Sequence, residues 1–390
     1  GGGAIATTPN ILDKQTREKG ERIAARAIQW LRSKQDAAKG AWGLPPQGPA
    51  FPAITGLAVN GVLMQPGIDA NDPAVARAVV WLLTQQQPDG GIYDRLLPVY
   101  NTSIALSALA RVDSDQARAA IKKGQDFLKR SQWGAADPIP GPDGPAKVVE
   151  ADHPFYGGWG YGRHSRPDIS NSIFALQALA DTGVPSDDPA VRRALVFMQR
   201  LQMQEKGADG KVINEQPYAR GSHQGGFIYA PSKDDKALGT GDSEAGTVEE
   251  TLTTGETKSM MRAYGSVTYG GFKSYLYAGL KKDDPRVQAV LDFVRRNYTL
   301  AENPGIKANG MYYYYVMFSR ALHASQQDVV DAGDAAGKVT PRNWRKDLID
   351  QLATMQNEDG SFQSVDKRWM EDNQVLITAY ALLAVQHALR

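Results

Sequence analysis

The sequence predicts an all-α protein, an (α/α)6 double-ring toroid built from six helical hairpins. Three observations predict it. A unit made of a helix, a glutamine and a Gly-x-aromatic turn returns at long period. Helices alternate between amphipathic and almost wholly apolar. There are six such pairs and no polar terminal cap, which favours closure over the alternative, an open solenoid.

The polar helices come first in each pair. "AIQWLRSKQDAAKGAWG", "AVVWLLTQQQPDGGIYD" and "LIDQLATMQNEDGSF" each run from a helix into the turn. "GQDFLKRSQWG" is followed later by "YGGWGYG", and "ALVFMQRLQMQ" by "HQGGFIYA". Ile28, Trp30 and Leu31, or Val79, Trp81 and Leu82, recur at helical spacing, and the glycines end the helix by allowing positive φ. "DPRVQAVLDFVRRNY" supplies the fifth polar helix. The apolar partners read "PAITGLAVNGVLM", "YNTSIALSALARV", "DISNSIFALQALA", "GSVTYGGFKSYLYAGL", "GMYYYYVMFSRALHA" and "NQVLITAYALLAVQHAL". A helix apolar on nearly every side must be covered on nearly every side, so these six form an inner ring. "SDDPAV", "KKDDPRV" and "NDPAVARAV" place Asp before Pro as N-terminal caps of outer helices.

Residues 17–390 read as one domain, preceded by a disordered or processed segment, 1–16. A chain opening "GGGAIATTP" is compatible with a processed export leader. Two loop insertions break the rhythm, at about 134–155 and 205–260. The second contains "GTGDSEAGTVEETLTTGETKS", too polar to fold alone, and reads equally as a lid or an ornament.

Composition removes several function classes. The 390 residues hold 44 basic and 43 acidic side chains, so no net charge draws the chain to nucleic acid. The longest uncharged run, 40–68, is broken by Pro45, Pro46, Pro49, Pro52, Gly56 and Gly61, which predicts no transmembrane segment. With no cysteine, disulfides, thiolate nucleophiles and cysteine-bound zinc are excluded. No phosphate loop, dinucleotide fingerprint or nucleophile elbow is present, and no cofactor is expected.

The repeats resemble those of the prenyltransferase and squalene-cyclase (terpene cyclase) superfamily, with QW-type motifs. The matching positions are Gln35 with Gly40 and Trp42, Gln87 with Gly91 and Tyr93, Gln132 with Gly157 and Trp159, Gln204 with Gly225 and Phe227, and Gln356 with Gly360 and Phe362. The resemblance implies an isoprenoid or similar hydrophobic chain bound in a central cavity. Class II cyclases of this superfamily protonate an alkene with an Asp of a D-x-D-D segment. The matching window here is Asp168, Ile169, Ser170 and Asn171, so the intact acid motif is lacking and Ser170 stands at the proton donor's position. Any cyclisation would need a non-standard acid. Asp168 itself reads as a helix cap, with catalysis as the alternative. Prenyltransferase β subunits of the superfamily bind zinc through Asp, Cys and His. The nearest cluster here, Asp152, His153, His164 and Asp168, has no metal-ligand spacing.

In such a ring, the inner-helix N-termini and the loops before them surround one opening. That collects substrate-binding candidates Tyr100, Trp159, Tyr161, Arg163, His164, Asn171, Tyr264, Tyr269, Lys273, Tyr312, Tyr313 and Trp369. Asp168, Glu371 and Asp372 are the candidate acids. In "MYYYYVMF" four successive tyrosines cover about 300° of the helix, so one or two face the lumen while the others pack between rings. Aromatic faces suit a carbocation. The same tyrosines with Arg163 or Lys273 would suit the alternative, a polysaccharide lyase or glycan-acting toroid. A non-catalytic hydrophobic-ligand-binding protein is the third reading. His323 and His387 read as core histidines.

Overall fold

The computed structural model describes residues 12–44, 48–141, 144–236, 239–364 and 366–390. The expectation of a separate N-terminal segment falls mainly on residues 1–11, outside the described ones. The polar helices are α1 (Lys14–Lys34), α3 (Pro73–Thr84), α5 (Asp115–Ser131), α7 (Pro189–Gln199), α9 (Pro285–Arg296) and α11 (Trp344–Met355). The apolar ones are α2 (Pro52–Leu63), α4 (Pro98–Leu109), α6 (Ile169–Asp181), α8 (Gly265–Tyr277), α10 (Met311–Ala324) and α12 (Gln374–Ala388). The protein is thus helix-rich, with two helices in each repeat.

The polar helices start at side-chain caps. Asp13, Asp72, Ser114, Asp188, Asp284 and Asn343 each accept a first-turn backbone N–H, satisfying a donor the helix leaves free. Apolar helices are buried almost throughout; α4 has no exposed residue from Asn101 to Leu109. Helix α2 packs on α4, α4 on α6, α6 on α8, α8 on α10, α10 on α12, and α12 on α2 again. The polar helices pack against the apolar ones and one another, α1 against α12 and α11, and α3 against α2.

The glutamine of each repeat joins neighbouring polar helices. Gln132 Nε2 donates to Gly157 O and to Ala190 O, each at 2.9 Å, tying the end of α5 to the start of α7. Gln35 does the same toward Ala74 of α3, and Gln356 toward Ile23 of α1. At two joins the residues differ from the sequence expectation. Gln86, not Gln87, bonds Gly90 O and Ala120 O, with Ile92 at the aromatic position. Gln202, not Gln204, bonds Gly225 O and Arg286 O. After each glycine, Trp42, Ile92, Trp159, Phe227 and Phe362 donate their backbone N–H to a hydroxyl of the next apolar helix, at Thr55, Thr102, Ser172, Thr268 and Thr378. At Gly157, φ is +84° and a Cβ would lie 2.0 Å from Arg193 O, so only glycine fits. Between α9 and α11 the join is different: the Tyr298 hydroxyl donates to Asp347 Oδ2 at 2.7 Å.

Among the described residues, three two-stranded antiparallel sheets, absent from the sequence expectation, occupy connecting segments. Within the long insertion, β1 (Gln202–Gln204) pairs with β2 (His223–Phe227), and β3 (Thr247–Thr251) with β4 (Thr257–Met261). Strands β5 (Val329–Gly333) and β6 (Val339–Asn343) lead into α11. Among the described residues no helix is long and apolar enough to cross a membrane.

Candidate functional site

Every apolar helix contributes, from or just before its first turns, to one cavity of about 190 Å³. Phe51 and Ile54 come from the start of α2, Leu97 and Tyr100 from α4, and Ser170 and Phe174 from α6. Tyr264, Ser266 and Val267 come from α8, Tyr313 from α10, and Leu376 and Tyr380 from α12. Tyr161, Tyr229, Trp369, Met370 and Glu371 complete the wall from the connecting segments. Burial pushes the phenol pKa of Tyr100, Tyr264 and Tyr313 up, so these rings are neutral walls. Tyr100 meets Phe174 edge to face at 5.5 Å, and the Tyr313 hydroxyl donates to Ser170 Oγ at 3.2 Å.

Among the described residues Glu371 is the only carboxylic acid in this wall. Helix α10 begins after Gly310, which is left-handed (φ +63°) and offers no capping side chain. Glu371 supplies the cap from a distant loop: its Oε1 accepts from Tyr312 N at 3.0 Å and Tyr313 N at 2.9 Å. The residue is 1% exposed, and Oε2 has no hydrogen-bond partner among the described residues. Burial raises the carboxyl to about pKa 7, and the two backbone N–H groups only partly offset this. A carboxyl with this value is about half protonated at neutral pH, while the helix N-terminus stabilises the anion left after proton loss.

The loop carrying Glu371 is held in an unusual conformation. Trp369 and Met370 both have positive φ (53° and 64°) despite bulky side chains. Trp369 lies against Gly310, where a Cβ would approach the indole to 3.0 Å. Arg368 reaches Glu244 of the long insertion at 2.8 Å. The same insertion sends Tyr229 into the wall, and Ile169 N donates to Tyr229 O at 2.9 Å.

Of the acids expected from sequence, Glu371 lines the cavity and the other two do not. Asp168 caps α6: Oδ1 accepts Asn171 N at 2.9 Å, and Oδ2 accepts Asn171 Nδ2 at 2.7 Å. Burial raises it to about pKa 6. Asp372 is exposed, facing away. Tyr100, Tyr161, Tyr264, Tyr313 and Trp369 are gathered in the wall, whereas Asn171 is spent on Asp168. Trp159 is fully buried, its indole donating to Leu128 O. Arg163 pairs with Asp89 at 3.3 Å. His164 stacks on Trp133 at 3.8 Å and accepts Lys147 N, and His153 stacks on the same indole. Tyr269 packs against Tyr314 and Phe318, and the Tyr312 hydroxyl donates to Gln363 O. Lys273 lies near the other end of α8. Among the described residues no three His, Cys, Asp or Glu side chains are placed to hold a metal ion. Tyr229, Leu97 and Met370 carry no sequence signal, because each belongs to a connection rather than to the repeat.

A family model, the squalene-hopene cyclase C-terminal domain, matches residues 49–137, from just before α2 to just after α5. No curated protein matches the sequence. Among solved structures, a protein from Actinoplanes is similar at 16% identity, covering 95% of this chain and 100% of its own, with TM-score 0.52. A glycosidase in complex with glucose shows 12% identity, 97% and 99% coverage and TM-score 0.51. The apo type II terpene cyclase MstE from Scytonema shows 13% identity, 96% and 98% coverage and TM-score 0.50. Such identities speak for the fold alone. By its repeats and by the match over residues 49–137, the chain is similar to the terpene cyclase-like repeat superfamily, and it shares the fold of these solved structures.

Proposed function

We propose that this protein binds an isoprenoid or similar hydrophobic chain in the aromatic cavity and protonates it with Glu371. The observation that carries the reading is the free Oε2 of a buried, raised-pKa carboxyl in a wall of aromatic rings. The Oε2 proton passes to one alkene carbon, leaving a carbocation on the other. A neighbouring double bond attacks it, forming a ring C–C bond, and a proton lost from the product cation restores the carboxylic acid. Aromatic faces stabilise the cation on its way. We also read the returning cycle of helix contacts as the (α/α)6 double ring, with residues 17–390 forming one domain.

A glycan-acting site fits less well, although a glycosidase shares the fold. Glycoside hydrolysis ordinarily needs two carboxyl groups, and this wall has one. A uronate lyase needs a cation, and among the described residues neither Arg, Lys nor His is in the wall.

The test is incubation of purified protein with squalene and with shorter polyprenyl substrates, followed by mass spectrometry. Cyclised isomers of unchanged mass are expected, mainly from short chains, since a cavity near 190 Å³ is only modestly larger than one that holds benzene. Unchanged substrate at high protein loading, with lipid retained in the native mass spectrum, would instead establish a receptacle without turnover.

A further inference from the structure

The apolar helices share one end for the cavity, so their C-terminal turns gather at the other. There the chemistry changes. Lys273 on α8 is 0% exposed, and its Nζ has no hydrogen-bond partner among the described residues. Arg320 on α10 is 6% exposed and bonds only through Nε, to His387 Nε2 of α12 at 3.4 Å. His323 lies beside His387, ring centres 5.4 Å apart, and Nδ1 of each is buried without a partner. Because His387 accepts at Nε2, its proton sits on Nδ1, where it is a free donor.

Compensating negative charge is scarce. Asp181, at the end of α6, is exposed and its Oδ1 accepts Gln177 Nε2 at 2.6 Å. Arg111 and Arg390 add positive charge nearby, both acting on the electrostatics of this group. Burial, with the Arg320 charge, holds the Lys273 ammonium well below its ordinary pKa. Cations near helix C-termini can serve the helix dipole, and Arg390 does so by donating to Met64 O at the end of α2, but among the described residues Lys273 and Arg320 bond none of the last carbonyls. Backbone N–H groups of Thr182, Ala278 and Ser325 take those positions. Lys273 Nζ and Nδ1 of His323 and His387 share burial without a hydrogen-bond partner among the described residues, which native interiors rarely leave.

We propose that the C-terminal end of the apolar helices binds a small oxyanion of the phosphate class, held by Lys273 Nζ, the outer nitrogens of Arg320 and His387 Nδ1–H. A tetrahedral oxyanion offers acceptors in several directions, matching a point-charge ammonium and a planar guanidinium fork. This site stands independently of the acid assigned to Glu371, at the opposite end of the same helices.

Titration calorimetry and thermal melting with inorganic phosphate, against sodium chloride of matched ionic strength, test it. Saturable heat and a phosphate-specific rise in Tm are expected. Lys273→Met should weaken phosphate binding by about tenfold or more, Arg320→Lys should weaken it while keeping the charge, and Glu371→Gln should leave it unchanged. Glycerol phosphate in place of phosphate shows whether the anion is free or one end of an organic molecule. If wild-type protein gives no heat beyond the chloride control, or if Lys273→Met and Arg320→Lys both fold and bind phosphate as wild type does, the proposal is overturned. In the first of these outcomes Lys273 is a neutral amine filling the core.

Discussion

The Tyr313 hydroxyl donates to Ser170 Oγ at 3.2 Å, and the Tyr313 backbone N–H donates to Glu371 Oε1 at 2.9 Å. One residue of α10 therefore touches both the position where the superfamily resemblance puts a proton donor and the carboxyl that now lines the cavity. Ser170 is a hydroxyl and cannot protonate an alkene. Glu371 stands within the same wall, and its Oε2 has no hydrogen-bond partner among the described residues, which is the geometry the proposed acid rests on.

Glu371→Gln is accordingly expected to abolish product formation while preserving ligand binding. The amide oxygen can still accept from Tyr312 N and Tyr313 N, so the cap on α10 survives. Product analysis beside native mass spectrometry of the bound lipid separates the two effects. Full turnover by this variant would remove Glu371 from the chemistry.

Stability should fall as pH rises from about 4 to about 7. Glu371 (about 7) and Asp168 (about 6) both have folded values above their ordinary ones. In that window the native protein keeps protons that the unfolded chain has released, so deprotonation costs native stability, up to about 3 kcal/mol for Glu371 alone. Urea titrations at stepped pH measure this. Glu371→Gln, which mimics the protonated acid, should flatten the profile.

Asp168→Asn should cost about 1 kcal/mol of stability and leave turnover within a few-fold of wild type. Both Asp168 oxygens are used on Asn171, and neither faces the cavity. Denaturation midpoints and steady-state rates on one preparation check the two halves together. A collapse in rate without loss of stability would return Asp168 to the list of acids.

Gln132→Ala should destabilise by about 2–3 kcal/mol, because it strands the carbonyls of Gly157 and Ala190 in the interior and frees Arg193 Nε. Gln204→Ala, at a side chain that only reaches Lys206 O on the surface, should be close to neutral. Chemical denaturation of the pair tests whether the glutamine joins carry stability.

The helices were readable because their pattern is physical. Largely apolar stretches such as Ile104 to Leu109, broken only by Ser107, are buried throughout, and Asp–Pro pairs start α3, α7 and α9 where expected. The glutamine register was harder. Gln85, Gln86 and Gln87 are consecutive, and only the distance to Ala120 selects the middle one. "TVEETLTTGETKS" forms a hairpin although it is polar, because Val248 and Met260 face each other at one pair and Gly255 permits the turn. In the cavity, Tyr100, Tyr264 and Tyr313 follow from helix starts, whereas Tyr229 arrives from the insertion and has no periodic signal. Glu371 and Asp372 are adjacent in sequence. Their separation into a buried acid and an exposed one depends on α10 lacking its own cap, a relationship spanning about sixty residues that no local pattern contains.

The join made by Gln356 with Ile23 spans nearly the whole chain. During synthesis the earlier joins, at Gln35, Gln86, Gln132 and Gln202, can form in the order their helices emerge, each soon after its partner appears. The last cannot, and until it forms the flanks of α2 and α12 that will meet one another remain uncovered. The vulnerable interval for aggregation therefore lasts until α11 and α12 have emerged and docked, and chaperone dependence should concentrate on the repeat they form rather than on that of α1 and α2.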